Sequence, residues 1–271
     1  MTNGTAALFC CLKSLGIGPG DEVIVPDMTF IATANAVIMT GATPVMVDIS
    51  LEDLGLNCDK VIENITSATK AIMPVHLYGG AANLYRLQKI CKEYGLYMVE
   101  DAAQGVGVKY DNQHVGTFGD LGILSFYGNK TITCGEGGVV LTNDDELAAS
   151  CYRLKNHGRD KKGIFIHSHI GYNFAFTEMQ AAIGIAQLNK LERIISKRDQ
   201  IRTKYLRELQ HISELNPLSF KPHITPVHWF SSYFTEHKNE LQKFLADKNI
   251  QTRDFFYPLH KQPCYKNLDL N

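Results

Sequence analysis

The sequence lacks the features that mark several classes of protein. Its 27 Lys and Arg are matched by 28 Asp and Glu, whereas binding to nucleic acid or to an anionic membrane needs a cluster of excess basic side chains. No apolar run approaches the roughly 18 to 20 residues that a membrane-spanning helix requires, and the first residues lack the basic and then apolar layout of a signal peptide. We therefore expect no nucleic-acid partner and no membrane partner.

Paired cysteines are also missing. The seven cysteines are odd in number and scattered, and none belongs to a Cys-x-x-Cys pair of the kind used in zinc and redox sites. We therefore expect no metal site. Scattered cysteines without a disulfide framework are typical of a reducing compartment, so the sequence predicts a cytoplasmic protein with a small-molecule partner.

Short apolar runs alternate with helix-like stretches along the first half of the chain. The runs are bounded by Gly, Pro, Asp or Asn and read as buried strands: Glu22 to Pro26, Pro44 to Ile49, Ala71 to His76, Leu96 to Glu100, Gly122 to Phe126 and Val139 to Thr142. Between two of them, the apolar spacing of Asn83 to Tyr94 predicts a helix. This alternation predicts an α/β fold with a mostly parallel sheet, in which ligands bind at the carboxyl ends of the strands.

The second part of the chain has a different pattern. A helical stripe runs from Thr177 to about Leu209, and we expect it to connect two domains. A strand over Val227 to Phe234, a helix over His237 to Lys248 and a strand over Ile250 to Tyr257 would follow. We therefore predict a large domain over 1–187 and a connecting helix with a small α+β domain over 188–271.

Two charged residues follow predicted strands. Asp101 comes directly after Leu96 to Glu100, and Lys130 lies between a strand and the Gly-rich turn of Gly135 to Gly138. Taken alone, Asp101 is more typical of a helix N-cap than of a functional site. Taken alone, Lys130 is as typical of a surface loop as of a functional site. Together they are the two groups that pyridoxal phosphate (PLP) chemistry requires, because a carboxylate keeps the pyridine nitrogen protonated and a lysine forms an aldimine.

At two further positions, the sequence allows either a cofactor-binding role or a purely structural one. Gly4 and Thr5 begin a predicted helix, where free backbone amides and the positive end of the helix dipole suit a phosphate, although such residues also begin helices that bind nothing. Phe30 follows the first predicted strand. Taken singly it reads as a core residue, and it would otherwise lie against a cofactor ring.

Ordered sequence motifs resemble one known family. They are Asn3-Gly4-Thr5-Ala6-Ala7-Leu8, Gly18-Pro19-Gly20-Asp21-Glu22-Val23, Thr29-Phe30-Ile31-Ala32-Thr33-Ala34-Asn35, Pro74-Val75-His76-Leu77-Tyr78-Gly79, Glu100-Asp101-Ala102-Ala103-Gln104, Ser125-Phe126-Tyr127-Gly128-Asn129-Lys130 and Gly171-Tyr172-Asn173. In these stretches the chain resembles the DegT/DnrJ-type sugar-nucleotide aminotransferases. The resemblance implies PLP fold type I, an α/β fold with a mostly parallel sheet of the seven-stranded type, its first strand missing here, and a small C-terminal α+β domain.

The resemblance also implies roles for individual residues. Lys130 would form the aldimine with PLP, and Asp101 would pair with the pyridine nitrogen. The other cofactor-binding positions it implies are Gly4, Thr5 and Ser125 at the phosphate, Phe30 on the ring and Gln104 beside it. Asn173 would reach the phosphate of a second subunit, so the active sites would be shared in a homodimer. Plausible substrate-side residues are His76, His157, Tyr172 and His260.

The implied reaction is ping-pong transamination. An amino acid, usually L-glutamate in this family, would donate its amino group through the Lys130 aldimine, and a nucleotide-linked keto-deoxy sugar would accept it, as in the biosynthesis of deoxyamino sugars and polysaccharides. Similar proteins that remove a sugar hydroxyl carry His where this chain has Lys130. The segment from Phe126 to Lys130 looks most like the perosamine-synthase branch, which acts at C4 of a 4-keto-6-deoxyhexose.

The sequence departs from the family pattern in three places. Family members carry a few dozen residues before the Asn3-Gly4-Thr5 segment and continue beyond Tyr265, so we expect a chain that is truncated at both ends. Ala175 stands where the family has Arg. These departures leave open a catalytically silent remnant that binds PLP or a partner subunit. A nucleotide-binding α/β domain would need a Gly-x-Gly-x-x-Gly turn after a strand, which Gly16 to Gly20 does not supply in that context.

Overall fold

The computed structural model describes residues 1–161 and 163–266. Its helices are α1 (Gly4–Ser14), α2 (Ala32–Thr40), α3 (Cys58–Glu63), α4 (Leu84–Tyr94), α5 (Asp145–Lys155), α6 (Glu178–Leu188), α7 (Leu191–Leu209) and α8 (Lys238–Asp247), with short 3₁₀ turns at Leu259–Lys261 and Pro263–Tyr265. Its strands are β1 (Glu22–Pro26), β2 (Thr43–Val47), β3 (Thr69–Ile72), β4 (Tyr97–Asp101), β5 (Lys109–Tyr110), β6 (Gln113–His114), β7 (Leu121–Ser125), β8 (Gly138–Leu141), β9 (Asn216–Pro217), β10 (Ile224–Thr225) and β11 (Tyr233–Phe234).

The six predicted strands form one sheet. Its strand order is β2-β1-β3-β4-β7-β8, and every neighbouring pair is parallel except β7 and β8, which are antiparallel. The first strand has the predicted bounds, and the other five begin and end one to four residues from theirs. Because parallel strands end at the same edge, the segments that follow β1, β3, β4 and β7 meet there.

Apolar side chains alternate across this sheet and are buried on both faces. Val23 and Val25 of β1 pack with α1 and α2, whereas Ile24 between them packs with α4 on the other side. A parallel sheet whose two faces are both covered needs strands that are apolar at nearly every position. The continuous apolar runs in the sequence are therefore explained by two cores, one on each face.

The second part of the chain differs from its predicted pattern in two respects. The helical stretch from Thr177 is two helices, because α6 ends at Leu188 and α7 starts only at Leu191. The predicted helix over His237 to Lys248 is confirmed as α8. The predicted strand over Val227 to Phe234 is reduced to β11, and no strand forms over Ile250 to Tyr257.

The predicted strand over Val227 to Phe234 was too long and the one over Ile250 to Tyr257 was wrong, because both were predicted from apolar content alone. The aromatic side chains of Phe255 and Phe256 pack on Tyr78 of the large sheet's edge, so their burial requires no β-pairing. The division at 187/188 stays a prediction, and residues 267–271 of the second predicted domain lie outside the described residues.

His76 and Glu100 form a fully buried hydrogen-bonded pair directly before the carboxyl end of β4. Glu100 Oε2 is 3.0 Å from His76 Nε2, and its two oxygens also accept the backbone N–H groups of Gly116, Phe118 and Gly119 at 2.6 to 2.7 Å. Burial opposes ionisation of Glu100, but the hydrogen bonds from His76 and the backbone outweigh it and hold the pKa below its usual value. The pair therefore fixes the 116–119 loop to the sheet.

Replacing this carboxylate should destabilise the fold. In Glu100→Gln one oxygen becomes an NH₂ that faces backbone donors, so we expect the free energy of unfolding to fall by about 3 to 5 kcal/mol. The pKa of Glu100 is lower in the folded state than in the unfolded state. Its contribution to the free energy of unfolding is therefore present above pH 4.5 and is lost as the pH falls through the folded-state pKa.

Urea unfolding of wild type and Glu100→Gln, measured above and below pH 4.5, gives both the stability lost in the variant and its dependence on pH. Glu63→Gln removes an exposed carboxylate that pairs, among the described residues, only with Lys60, and as the matched control it should change stability by no more than about 0.5 kcal/mol. Equal effects of the two substitutions would contradict the structural role of Glu100.

Candidate functional site

Asp101 lies at the carboxyl end of β4, next to β7. Its side chain is buried, and Oδ2 accepts a hydrogen bond of 2.8 Å from the Thr33 hydroxyl of α2. Oδ1 accepts the backbone N–H of Ala103 at 3.1 Å. Because no helix starts after Asp101, the helix N-cap interpretation is wrong, and a carboxylate is fixed at the sheet edge instead.

Lys130 lies in a tight turn after β7, where its N–H donates to Tyr127 O at 3.0 Å. Its Nζ is 4.5 Å from the centroid of the Trp229 ring. Burial lowers the pKa of the amine below its ordinary value of 10.5, and the Asp101 carboxylate partly raises it again. Lys130 is therefore half-buried beside Asp101 rather than a solvated loop lysine, and more of it is the neutral nucleophile at a given pH.

The start of α1 lies against the end of β7. A Cβ added to Gly4 would be 3.2 Å from Ser125 Cβ and 3.4 Å from its Oγ, so a side chain at Gly4 would crowd the Ser125 hydroxyl. That hydroxyl is not a donor to any other described residue. The N–H groups of Gly4 and Thr5 have no partner inside α1 because they belong to its first turn. These donors suit an anionic group.

Aromatic side chains line the edge beyond Asp101. Phe30 is 56% exposed, so the core interpretation of this residue is wrong, and its ring centroid lies 6.0 Å from that of Phe256. The buried Gln104 accepts the backbone N–H of Tyr78 at 2.8 Å. Tyr78 is in the left-handed region with φ of 54°, and its ring stacks on Phe256 at 5.6 Å.

The substrate-side predictions divide into two groups. His76 is completely buried, with Ala82 N–H bonded to its Nδ1 at 3.3 Å, so its prediction as a substrate group is corrected to a structural residue. Tyr172 packs with the core, with its ring stacked on Phe174 at 5.1 Å. His260 is exposed and bonds Asp27, which directly follows β1. His157 is exposed in a loop.

Asn173 does not join the other predicted cofactor residues. It is exposed, and its backbone bridges to Asn156 beside α5. Ala175 in the same segment is also exposed. Within one chain the structure thus brings together Gly4, Ser125, Asp101 and Lys130, whereas Asn173 is exposed and no hydrogen bond joins it to another predicted cofactor residue among the described residues.

Two residues of this edge were not found from the sequence. Thr33 was quoted only as part of a motif, and its contact with Asp101 joins positions 68 residues apart. Trp229, which contacts Lys130, lies 99 positions further along the chain and was read as part of a strand. The one sequence signal for Thr33 was its place in the Thr29 to Asn35 motif.

The residues at the edge fit PLP. A carboxylate and an amine lie close enough to influence each other, a hydroxyl and helix-start amides suit the phosphate, and an exposed aromatic ring stands beside them. Such a set can hold a charged heteroaromatic aldehyde and present an amine to it. Among the described residues no group of three His, Cys, Asp or Glu is placed to hold a metal ion.

Comparisons with known proteins agree on one family. The model of the DegT/DnrJ/EryC1/StrS aminotransferase family matches residues 1–271. GDP-perosamine synthase of Escherichia coli O157:H7 is 42% identical over 268 residues, which cover 98% of this chain and 73% of that protein. Nothing in these comparisons favours a catalytically silent remnant.

Solved structures confirm the fold class. DesV of S. venezuelae, in complex with a ketimine intermediate, matches with a TM-score of 0.93 and 37% identity over 97% of this chain and 71% of that one. The PLP form of Spr1654 from Streptococcus pneumoniae matches with a TM-score of 0.92 and 28% identity over 99% of this chain and 75% of that one. In the described part of the chain, no helix has the length and apolarity to cross a membrane.

The hydrogen bond from Thr33 to Asp101 should be important for stability. Thr33→Val keeps the shape but leaves a buried carboxylate oxygen without its donor, so we expect the free energy of unfolding to fall by about 1 to 3 kcal/mol. Thr43→Val makes the same change in β2, at a hydroxyl that bonds no other described residue, and should lie within about 0.5 kcal/mol of wild type. Denaturant unfolding measures both variants. An equal change in the free energy of unfolding for Thr33→Val and Thr43→Val would contradict the prediction.

Proposed function

Because the chain belongs to the DegT/DnrJ/EryC1/StrS aminotransferase family, we propose that it transfers an amino group from L-glutamate to a nucleotide-linked keto-deoxy sugar with PLP as cofactor. The observation that carries this proposal is the placement of Lys130 and Asp101 at one sheet edge, where burial lowers the pKa of the amine and the Asp101 carboxylate partly raises it. A surface lysine would lack both influences.

Each residue of the edge has a task toward the cofactor. The Lys130 amine would hold the aldehyde, and Asp101, held by Thr33 at 2.8 Å, would keep a proton on the pyridine nitrogen. Gly4, Thr5 and Ser125 would hold the phosphate, and Phe30 and Gln104 would hold the ring. When bound, PLP supplies the electron sink that makes the Cα proton of an amino acid acidic.

Lys130 has a second task while its amine is free. The amine would take the proton from Cα of the amino donor and pass it to the cofactor carbon that keeps the nitrogen. Burial favours this work because it lowers the pKa of the amine below 10.5, so that the neutral base is more abundant. The same proton transfers run in reverse when the keto sugar accepts the amino group.

The likeness to a GDP-perosamine synthase supports a 4-keto-6-deoxyhexose linked to a nucleoside diphosphate as the acceptor. His260, bonded to Asp27 after β1, is exposed at the carboxyl ends of the strands, and we propose it as a substrate-side group. His157 and Tyr172 stay proposals of the same kind.

The attachment of PLP to Lys130 is tested by absorbance. Purified protein mixed with PLP should develop a band at the edge of the visible range, and L-glutamate should bleach it. Borohydride should fix the cofactor's mass on the peptide that contains Lys130. Lys130→Ala should lose the band and lower transamination at least about a hundredfold.

Lys155→Ala is the matched control for this experiment. Lys155 is also half-buried, but its amine lies over Tyr152 at 5.6 Å, and its removal should leave the band intact. A band that glutamate does not bleach would favour the catalytically silent alternative. Well-folded protein that develops no band would overturn the proposal.

We propose further that two copies of the chain share their active sites. The α6 surface, defined as Met179, Ile183, Ile185 and Leu188, is 50 to 79% exposed, and α6 contributes no buried residue. Ile164, Phe165, Ile166 and Ile170 are 45 to 88% exposed nearby in sequence. Apolar surface on this scale is typical of an interface, and the exposed Asn173 suits contact with the phosphate site of a second copy.

A charge on the α6 surface should separate the two copies. Ile185→Glu places a carboxylate in the proposed interface, so we expect light scattering after size exclusion to give twice the mass of one chain for wild type and half of that for the variant. Phe244→Glu on α8, at a residue that is 58% exposed, is the matched control and should remain dimeric. A wild-type monomer would contradict the shared site.

A further inference from the structure

Trp229 contacts both the side chain of Lys130 and the backbone of the turn that carries it. The Lys130 Nζ lies over the indole ring at 4.5 Å from its centroid. The indole N–H donates to the carbonyl of Asn129 at 2.7 Å. One side chain therefore restrains the peptide that precedes Lys130 and the amine at the far end of the lysine.

The indole is held by parts of the chain other than the Lys130 turn. The carbonyl of Trp229 accepts a hydrogen bond of 2.9 Å from Arg198 Nη1 of α7. Two residues earlier, Val227 N–H donates to Gly79 O at 3.1 Å. Because the position of the ring is set by α7 and by the segment after β3, the ring can determine the position of Lys130 rather than follow it.

We propose that Trp229 is a positioning residue: its N–H fixes the Asn129–Lys130 turn, and its ring face gives the Lys130 amine a defined position whenever that amine is not attached to the cofactor. The inference rests on the proposed attachment of PLP to Lys130. An indole face is the most favourable aromatic partner for an ammonium group. A flexible lysine without this contact would have to be ordered anew in each half-reaction.

The alternative is that Trp229 only packs against its neighbours. Two substitutions separate the possibilities, because Phe keeps an aromatic face but has no N–H, whereas Leu has neither. A purely packing role would lower the free energy of unfolding as the side-chain volume falls and would leave the properties of the Lys130 amine unchanged. If Trp229 positions Lys130, the rate at which the Lys130 amine attaches PLP should decrease from wild type to Trp229→Phe to Trp229→Leu.

The first test uses protein without cofactor, so it does not depend on activity. Trp229 is the only tryptophan in the chain, and its fluorescence reports the charge on the amine above it. We expect a titration step in the emission at a pH below 10.5, because burial lowers the pKa of Lys130. The step should be absent in Lys130→Met. Titration of the tyrosines occurs in both proteins and forms their common background.

The second test measures the rate at which added PLP attaches to Lys130, by stopped-flow absorbance across pH. Misplacing a reacting group by about 1 Å can slow a reaction by up to about a hundredfold. We expect about tenfold slowing for Trp229→Leu and a smaller effect for Trp229→Phe. Phe230→Leu, at a ring 4.5 Å from Trp229, is the matched control and should attach PLP at the wild-type rate.

The outcomes separate this inference from the proposed function. If wild type attaches PLP but the Trp229 variants attach it equally fast, with native circular dichroism, Trp229 does not position Lys130. If the emission has the same pH dependence in wild type and Lys130→Met, the contact itself is wrong. If wild type itself attaches no PLP, the proposed function fails, and the cofactor-free titration still decides whether Trp229 holds the amine.

Discussion

The parallel pairing of β4 with β7 is the constraint on which the rest of the site depends. Asp101 is aligned with Ile123 in this ladder, so Ser125 and the turn that carries Lys130 emerge next to Asp101. Parallel strands can be adjacent only if a crossover connects them and both faces of the sheet are covered. The two apolar cores are thus a condition for the site as well as for stability.

Buried polar contacts then hold the edge of this sheet in shape. Glu100, one residue before Asp101, fixes the 116–119 loop through three backbone N–H groups. Thr33 fixes Asp101 from α2. Neighbouring residues of one strand point to opposite faces, so Glu100 serves the fold on one face while Asp101 is presented to the site on the other. This alternation separates the structural carboxylate from the functional one.

Aromatic residues connect this edge with the second part of the chain. Tyr78 adopts a left-handed conformation with φ of 54°, and its hydroxyl accepts the N–H of Phe256 at 3.0 Å. Burial raises the pKa of Tyr78 to about 12, so this hydroxyl stays neutral. Trp229 comes to Lys130 from the same side. Segments that were read as strands instead contribute rings to the site, because burial of a ring against a sheet edge needs no backbone pairing.

The sequence by itself determined the α/β class, the approximate strands and the family, since apolar periodicity and short motifs are local properties of the chain. Gly4, Asp101 and Lys130 could be chosen because each lies beside a predicted strand or helix start, whereas Ser125 was implied by the resemblance to the family. The burial of His76, the break between α6 and α7 and the contacts of Thr33 and Trp229 were decided only by tertiary structure. These contacts join residues 24 to 100 positions apart, and no local pattern records which distant side chain will fill a given space.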